Sequence, residues 1–244
     1  EPVEDSIKTI TAPEGVTVSI ARDVFGKPSS ITRSGGGATA TRRYVYDPQH
    51  RLCKTIEPET GSTVQAYTAA GDVMWRASGL SLTSVSSCDQ TSVPASRKVN
   101  FSYDSRRRLT QTTYGDGSPA VTRTYTADGL PHTLTTDLFG WTSGYNNRRL
   151  LTSETLNSPA GTHAFGYGVE AHGHVDWMAY PGGPTLTYAP DALGRPTQVS
   201  GYASSISLHP NGQLAGYSAS NGVVHSVTQN LRGLPQTVRY SGVA

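Results

Sequence analysis

One short pattern recurs about every 21 residues along this chain, and it constrains the fold more than any other feature. The pattern is an aromatic residue, an Asp or Asn, two free positions, a Gly, one free position, and then an apolar residue or Pro. Its clearest copies span residues 46–52 and 103–109. The aromatic position is Tyr in five copies: Tyr46, Tyr67, Tyr103, Tyr125 and Tyr145. A fixed period of this length indicates a repeat architecture.

Ten copies can be aligned between residues 23 and 235, and we call their glycine position the Gly slot. The slot holds Gly in seven copies: Gly26, Gly71, Gly129, Gly173, Gly194, Gly212 and Gly233. The remaining slots hold His50, Arg107 and Arg149. Successive slots are 18 to 24 residues apart, except for one interval of 36 between Gly71 and Arg107. The period therefore extends over nearly the whole chain, with one insertion.

The residue types within each copy predict a β-hairpin. An Asp or Asn three positions before the slot can cap its own turn through the side-chain oxygen, and Gly supplies the positive φ of such a turn. Apolar and polar residues alternate on both sides, as in residues 109–114, and this alternation is typical of strands with one buried face. Because a single hairpin is not stable in water, neighbouring hairpins must stack.

Composition agrees with a β-structure and excludes several other classes. The chain has 26 Gly and 15 Pro in 244 residues, which disfavours a helical bundle. With 20 Lys+Arg against 18 Asp+Glu, the net charge of +2 gives no reason to expect a nucleic acid partner. No stretch approaches the roughly 18 to 20 apolar residues that cross a bilayer, so we expect no membrane insertion.

The Tyr-Asp-x-x-His/Arg/Gly-x-Leu pattern at this period resembles the tyrosine–aspartate repeats of the rearrangement-hotspot (RHS) family. The resemblance covers residues 23–235. It implies an all-β fold in which consecutive hairpins form one long, twisted, spiralling antiparallel sheet, part of a hollow β-shell. In bacterial members the shell encloses a toxic C-terminal region, and animal relatives form part of cell-surface adhesion proteins. We therefore expect residues 1–244 to form a single repeat region, a segment of a larger polypeptide.

The insertion, residues 78–98, is rich in Ser and Thr and is predicted to be a long loop. It contains Cys88, whereas Cys53 follows a repeat turn. In an exported protein a disulfide between them would close 36 residues, from 53 to 88 inclusive, and contribute roughly 3 to 4 kcal/mol on the loop-entropy model. The alternative is two separate thiols.

The remaining candidate sites have simpler interpretations. His172 and His174 flank a Gly slot and would share a strand face with Asp176, a conceivable metal site, but ordinary turn histidines are the preferred interpretation. The repeat tyrosines are interpreted as cross-strand contacts, with stacking on sugar rings as the alternative. Asp47 and Pro48 lack the sequence context of the self-cleavage motif found in some RHS proteins, and we interpret them as part of a turn. No catalytic constellation or cofactor motif is present.

We therefore expect a non-catalytic structural segment, without cofactor, of a secreted or surface-displayed RHS-type shell. Its partners would be the rest of the parent polypeptide and the enclosed toxin cargo. The alternative function is a cell-surface binding or adhesion module, with carbohydrate recognised through exposed Tyr and Thr faces.

Overall fold

A computed structural model describes residues 6–242 as an all-β protein. Two 3₁₀ turns, Gln90–Ser92 and Ala95–Arg97, are the only helical segments in that range. The strands are β1 (Thr9–Thr11), β2 (Thr17–Arg22), β3 (Pro28–Gly35), β4 (Ala38–Tyr46), β5 (Leu52–Glu57), β6 (Gly61–Tyr67), β7 (Val73–Leu80), β8 (Val99–Tyr103), β9 (Leu109–Tyr114), β10 (Val121–Tyr125), β11 (Pro131–Thr135), β12 (Gly140–Tyr145), β13 (Leu151–Ser158), β14 (Gly161–Val169), β15 (Val175–Ala179), β16 (Thr185–Thr187), β17 (Ala203–Leu208), β18 (Leu214–Ala219), β19 (Val224–Gln229) and β20 (Pro235–Ser241).

The strands follow one another in space as they do in sequence. Strands β1 to β16 form one sheet in chain order, and β17 to β20 form a second sheet, also in chain order. Neighbouring strands pair antiparallel, as consecutive hairpins require. The predicted all-β fold of consecutive hairpins is confirmed. The described residues form two compact units, one that ends at Thr122 and one that begins at Arg123.

In the first unit, the buried core lies on one face of β6 and β7. Val64, Ala66, Trp75, Ala77 and Leu80 form it together with Val93. Val93 belongs to the segment between β7 and β8, residues 81–98, which contains both 3₁₀ turns and no strand. Residues 78–80 of the predicted loop 78–98 belong to β7, and the rest of it folds back onto the sheet and supplies a core side chain.

The second unit has a different burial pattern: no apolar side chain of its described residues is fully buried. Strands β11 to β16 place their large apolar side chains on one face, because directly opposed residues and residues two apart share a face. These are Leu134, Trp141, Leu156, Phe165, Tyr167, Met178 and Leu186. The opposite face carries mainly Thr, Ser and Gly, with Trp177 lying over Gly166 and Gly168.

The two sheets are separated by residues 188–202, which make only two isolated bridges, Pro190 with Pro196 and Val199 with Ala203. Proline has no backbone N–H, so it cannot donate to a strand ladder. The expected hairpin turn does form around Gly194, but its flanks are not extended strands. One continuous sheet is thus present through β16, and β17 to β20 form their own.

Candidate functional site

The repeat turns are the most regular feature of the chain, and all ten share two backbone hydrogen bonds. The N–H of the first turn residue donates to the carbonyl four residues later, and the slot N–H donates back to the first carbonyl, with N···O distances of 2.8 to 3.0 Å throughout. The first residues are Asp23, Asp47, Thr68, Asp104, Thr126, Asn146, Glu170, Asp191, His209 and Asn230. Each copy of the sequence pattern therefore corresponds to the same backbone turn.

Every Gly-slot residue adopts positive φ, between 60° and 97°. The three non-glycine slots fall within this range, with φ of 60° at His50, 62° at Arg107 and 65° at Arg149. In several hairpins the strand register shifts beside the turn, for example between Val45 and Tyr46. A type I turn followed by a left-handed residue and a bulge gives this geometry.

Side-chain oxygens cap most of these turns. In the turn beginning at Asp191, Oδ1 accepts the N–H groups of Leu193 at 2.9 Å and Arg195 at 3.0 Å. The Arg195 guanidinium and then its backbone N–H bond to this carboxylate and lower the pKa of Asp191 to about 2. Threonine replaces the carboxylate in two turns, where Thr68 and Thr126 accept an N–H through Oγ1. Sequence reasoning identified the Asp and Asn caps but not these threonines.

Three repeat tyrosines connect neighbouring repeats through their hydroxyl groups. Tyr46 donates to the Pro28 carbonyl at 2.8 Å and Tyr67 to the Leu52 carbonyl at 2.7 Å. Tyr103 likewise donates to the Val73 carbonyl at 2.9 Å. In each case the acceptor lies two residues after the Gly slot of the preceding repeat. No sequence pattern indicates these acceptors, because they depend on the offset between adjacent hairpins.

Turn side chains also pair across repeats. Arg107 bonds to the Asp72 carboxylate of the preceding repeat at 2.8 Å, and Arg149 approaches Asp128 at 3.3 Å. Both arginine side chains are 59% exposed, so each pair adds little stability. Within one turn, the guanidinium of Arg51 bonds to Asp47 at 2.8 Å. These turn arginines therefore contact acidic turn residues in the folded chain.

The expected disulfide joins Cys53 and Cys88, whose Cα atoms are 5.4 Å apart. Cys53 has no strand partner, because the β4–β5 register steps from Val45–Lys54 to Tyr46–Leu52 and leaves it in the bulge. Cys53 is fully buried, whereas Cys88 is partly exposed. The bond ties the segment 81–98 to the sheet beside its apolar core.

The histidines considered as metal ligands lie in and beside a repeat turn. Glu170 holds both rings, with its carboxylate 2.7 Å from His172 Nδ1 and 3.1 Å from His174 Nδ1. The backbone N–H of His172 is the main cause that lowers the pKa of Glu170 to about 2. Asp176 does not join them in a ligand set: within residues 6–242 no three His, Cys, Asp or Glu side chains are arranged to hold a metal ion.

Within residues 6–242, no helix has the length and apolar character needed to span a membrane.

Comparison with known proteins gives a fold but no sequence relative. No known family model matches the chain, and no curated protein matches its sequence. Solved structures that resemble it in fold include three of Tc toxin proteins. A TcdB2–TccC3–TEV crystal structure matches with TM-score 0.52 and 14% identity over 98% of this chain. The Photorhabdus luminescens Tc holotoxin pore with a TccC3 mutation gives 0.52 and 13% over 96%. TcdB2–TccC3 without its hypervariable C-terminal region gives 0.50 and 12% over 99%.

The chain spans only 14 to 15% of the length of these solved chains. At 12 to 14% identity, the likeness concerns backbone architecture and not individual side chains. Nearly the whole chain therefore has the fold of a part of much longer Tc toxin chains.

Proposed function

We propose that this chain is a non-catalytic wall segment of an RHS-type shell that encloses a polypeptide cargo. The observation that carries the proposal is the tenfold repetition of one turn with the same two backbone hydrogen bonds. Such a row of hairpins is the unit that the RHS resemblance implies. The matches to Tc toxin chains over 96 to 99% of this chain support the same interpretation.

The burial pattern supports a role as a wall. In the described part of the second unit, no apolar side chain is fully buried, and large side chains occupy one face of β11 to β16. A sheet of this kind separates two spaces instead of enclosing a core of its own. The outer strands also present unpaired backbone groups, which further strands of a longer polypeptide would satisfy.

The disulfide supports a location outside the cytosol. Disulfides persist in oxidising compartments and are rare where glutathione keeps thiols reduced. Together with the resemblance, this favours a secreted or surface-displayed bacterial protein whose cargo is a toxic polypeptide.

Structure determination of the complete parent polypeptide by cryo-electron microscopy tests the proposal. We expect β1 to β20 in the wall of a hollow body, with density for a cargo inside. Protease treatment should leave the cargo intact while the wall is closed. A solid interior filled with side chains, or a cargo digested as fast as the free polypeptide, would refute the proposal.

The alternative, carbohydrate binding through the repeat tyrosines, has less support. Tyr46, Tyr67 and Tyr103 already use their hydroxyl groups on neighbouring backbone carbonyls. A glycan array on the 244-residue chain distinguishes the two functions. Specific hits that disappear in Tyr67→Ala and Tyr103→Ala would favour adhesion.

A further inference from the structure

The segment 81–98, which we name the clasp loop, is attached to the sheet at four successive points. Cys88 is bonded to Cys53, and Asp89 forms an ion pair with Lys54 at 2.5 Å. The Gln90 side-chain amide donates to the Gln65 carbonyl at 2.8 Å, and Val93 is 4% exposed in the apolar core. Two adjacent loop residues are thus joined to two adjacent residues of β5.

We propose that the Cys53–Cys88 disulfide and the Lys54–Asp89 ion pair are parallel locks, and that the clasp loop opens only when both are released. This inference goes beyond the proposed function and does not depend on it. Opening would uncover the apolar face of β6 and β7, where Val64 is 0% and Trp75 7% exposed. In the closed state, the disulfide-bonded clasp loop therefore keeps this apolar surface covered.

The first lock is released by thiol–disulfide exchange with a small thiol. Because Cys53 is fully buried, the incoming thiolate must attack Cys88 Sγ. A mixed disulfide then forms on Cys88 and Cys53 leaves as a thiolate, which takes up a proton. A second thiol attacks the mixed disulfide, regenerates the Cys88 thiol and leaves as the oxidised small disulfide.

Reduction alone leaves the second lock in place. The Lys54 side chain is 0% exposed, and Asp89 is the carboxylate that its ammonium contacts. Taking Asp89 away would leave a buried cation without a partner, which is strongly unfavourable. The ion pair therefore keeps residues 89–93 docked at neutral pH, even when the thiols are free.

The surroundings of Lys54 identify which groups control this lock. Val45 of β4 and Val64 of β6 are the strand partners of Lys54, and Ala77 of β7 is the next strand's partner of Val64. None of these three side chains titrates. Arg43 is the nearest charged residue on the same face of β4, two residues before Val45. After reduction, the thiols of Cys53 and Cys88 are further titratable groups beside this ion pair.

Acid can release the second lock by protonating Asp89. The side-chain hydrogen bond from Lys54 lowers the pKa of Asp89 below its ordinary value. A lowered folded pKa means that the stabilisation is complete above the ordinary carboxyl range and is lost as the pH falls through the folded value. The ion pair therefore holds at neutral pH and weakens only below about pH 4.

Hydrogen–deuterium exchange of peptides covering 81–98 tests the proposal at pH 7 on four forms of the 244-residue chain. These are the unaltered protein, Cys53→Ser/Cys88→Ser, Asp89→Asn and the triple variant. We expect each released lock to raise exchange by about tenfold and the triple variant to reach the rate of an unstructured peptide. Asp23→Asn, which removes a carboxylate that accepts hydrogen bonds within its own turn, is the matched control and should leave exchange in 81–98 unchanged.

Peptides from residues 17–35, which cover β2 and β3 of the same unit, report whether each variant is folded, since they should exchange as in the unaltered protein. Reducing the unaltered protein with a small thiol at pH 7, and then lowering the pH of one sample to about 2.5, well below the ordinary carboxyl range, repeats the test without substitutions. Relative to the intrinsic exchange rate at each pH, the protection of 81–98 should persist after reduction at pH 7 and be lost only at the lower pH. Free-peptide exchange after reduction alone at pH 7, or wild-type protection in the triple variant, would overturn the two-lock arrangement.

Discussion

Replacing Gly212 by alanine isolates the contribution of the positive φ on which each repeat turn is built. Gly212 has φ of 82°, and a Cβ at this position would meet no heavy atom within 4 Å. The change therefore introduces no clash. The left-handed conformation costs an L-residue about 1 to 2 kcal/mol, and the stiffer unfolded chain offsets about 0.5 kcal/mol of that. We expect Gly212→Ala to lower the free energy of unfolding by about 1 kcal/mol.

Gly140→Ala provides the matched control in the same unit. Gly140 lies in β12 without a positive φ, and its added Cβ would lie 3.8 Å from Thr135 Cγ2, an ordinary contact. Because glycine weakens a strand relative to alanine, this variant should be about 0.5 kcal/mol more stable than the unaltered chain. Gly212→Asn should fall between the two alanine variants, since Asn tolerates the left-handed region.

Urea denaturation followed by circular dichroism measures all three variants against the unaltered chain. The difference between Gly212→Ala and Gly140→Ala should be about 1.5 kcal/mol. If Gly212→Ala is as stable as the unaltered chain, or if both alanine variants shift equally, the positive φ at Gly212 does not contribute to the stability of the turn.

Three further predictions follow from individual contacts. Gly168→Ala would place Cβ 1.7 Å from Trp177 Nε1, so the indole ring must move. The free energy of unfolding measured in urea should fall by about 2 kcal/mol. Unchanged tryptophan fluorescence would show that the ring has not moved and would contradict the prediction. Tyr67→Phe removes the hydrogen bond to the Leu52 carbonyl and should cost about 1 kcal/mol in the same measurement, whereas no loss would exclude a stabilising role for this bond. Burial first, and then the hydrogen bond to Glu154, raise the pKa of Tyr167 to about 12. The resulting stabilisation of the folded chain is therefore complete below pH 10 and disappears as the pH rises towards 12. An ultraviolet difference titration against Tyr167→Phe measures this ionisation, and a value near pH 10 would refute the prediction.

The repeat turns were predictable because their geometry depends on local chemistry. An acceptor at the first turn position and a Gly three residues later fix the turn, while alternating residues fix which strand face is buried. His50 shows that the flanking pattern also carries information, since its slot keeps a φ of 60° without glycine. For Cys53 and Cys88 the sequence left two alternatives, a disulfide or two separate thiols, and the structure shows the disulfide.

Other features depend on contacts between distant segments and had no local signal. The insertion is rich in Ser and Thr, yet Val93 enters the core and Asp89 reaches the buried Lys54. The separation of the two sheets was also not predicted from the sequence. The repeat pattern around Gly194 predicts a turn, and the turn keeps its hydrogen bonds, but Pro190 and Pro196 interrupt the strand ladders on either side of it.

The two defining hydrogen bonds of each turn are made entirely by main-chain atoms. Most residues of a repeat can therefore be substituted without loss of the hairpin, provided that the spacing of the turns and the residue with positive φ are kept. Solved chains that share only 12 to 14% of their residues with this one still superpose along nearly its full extent. In proteins built this way, the spacing of the turns identifies the fold where residue identity does not.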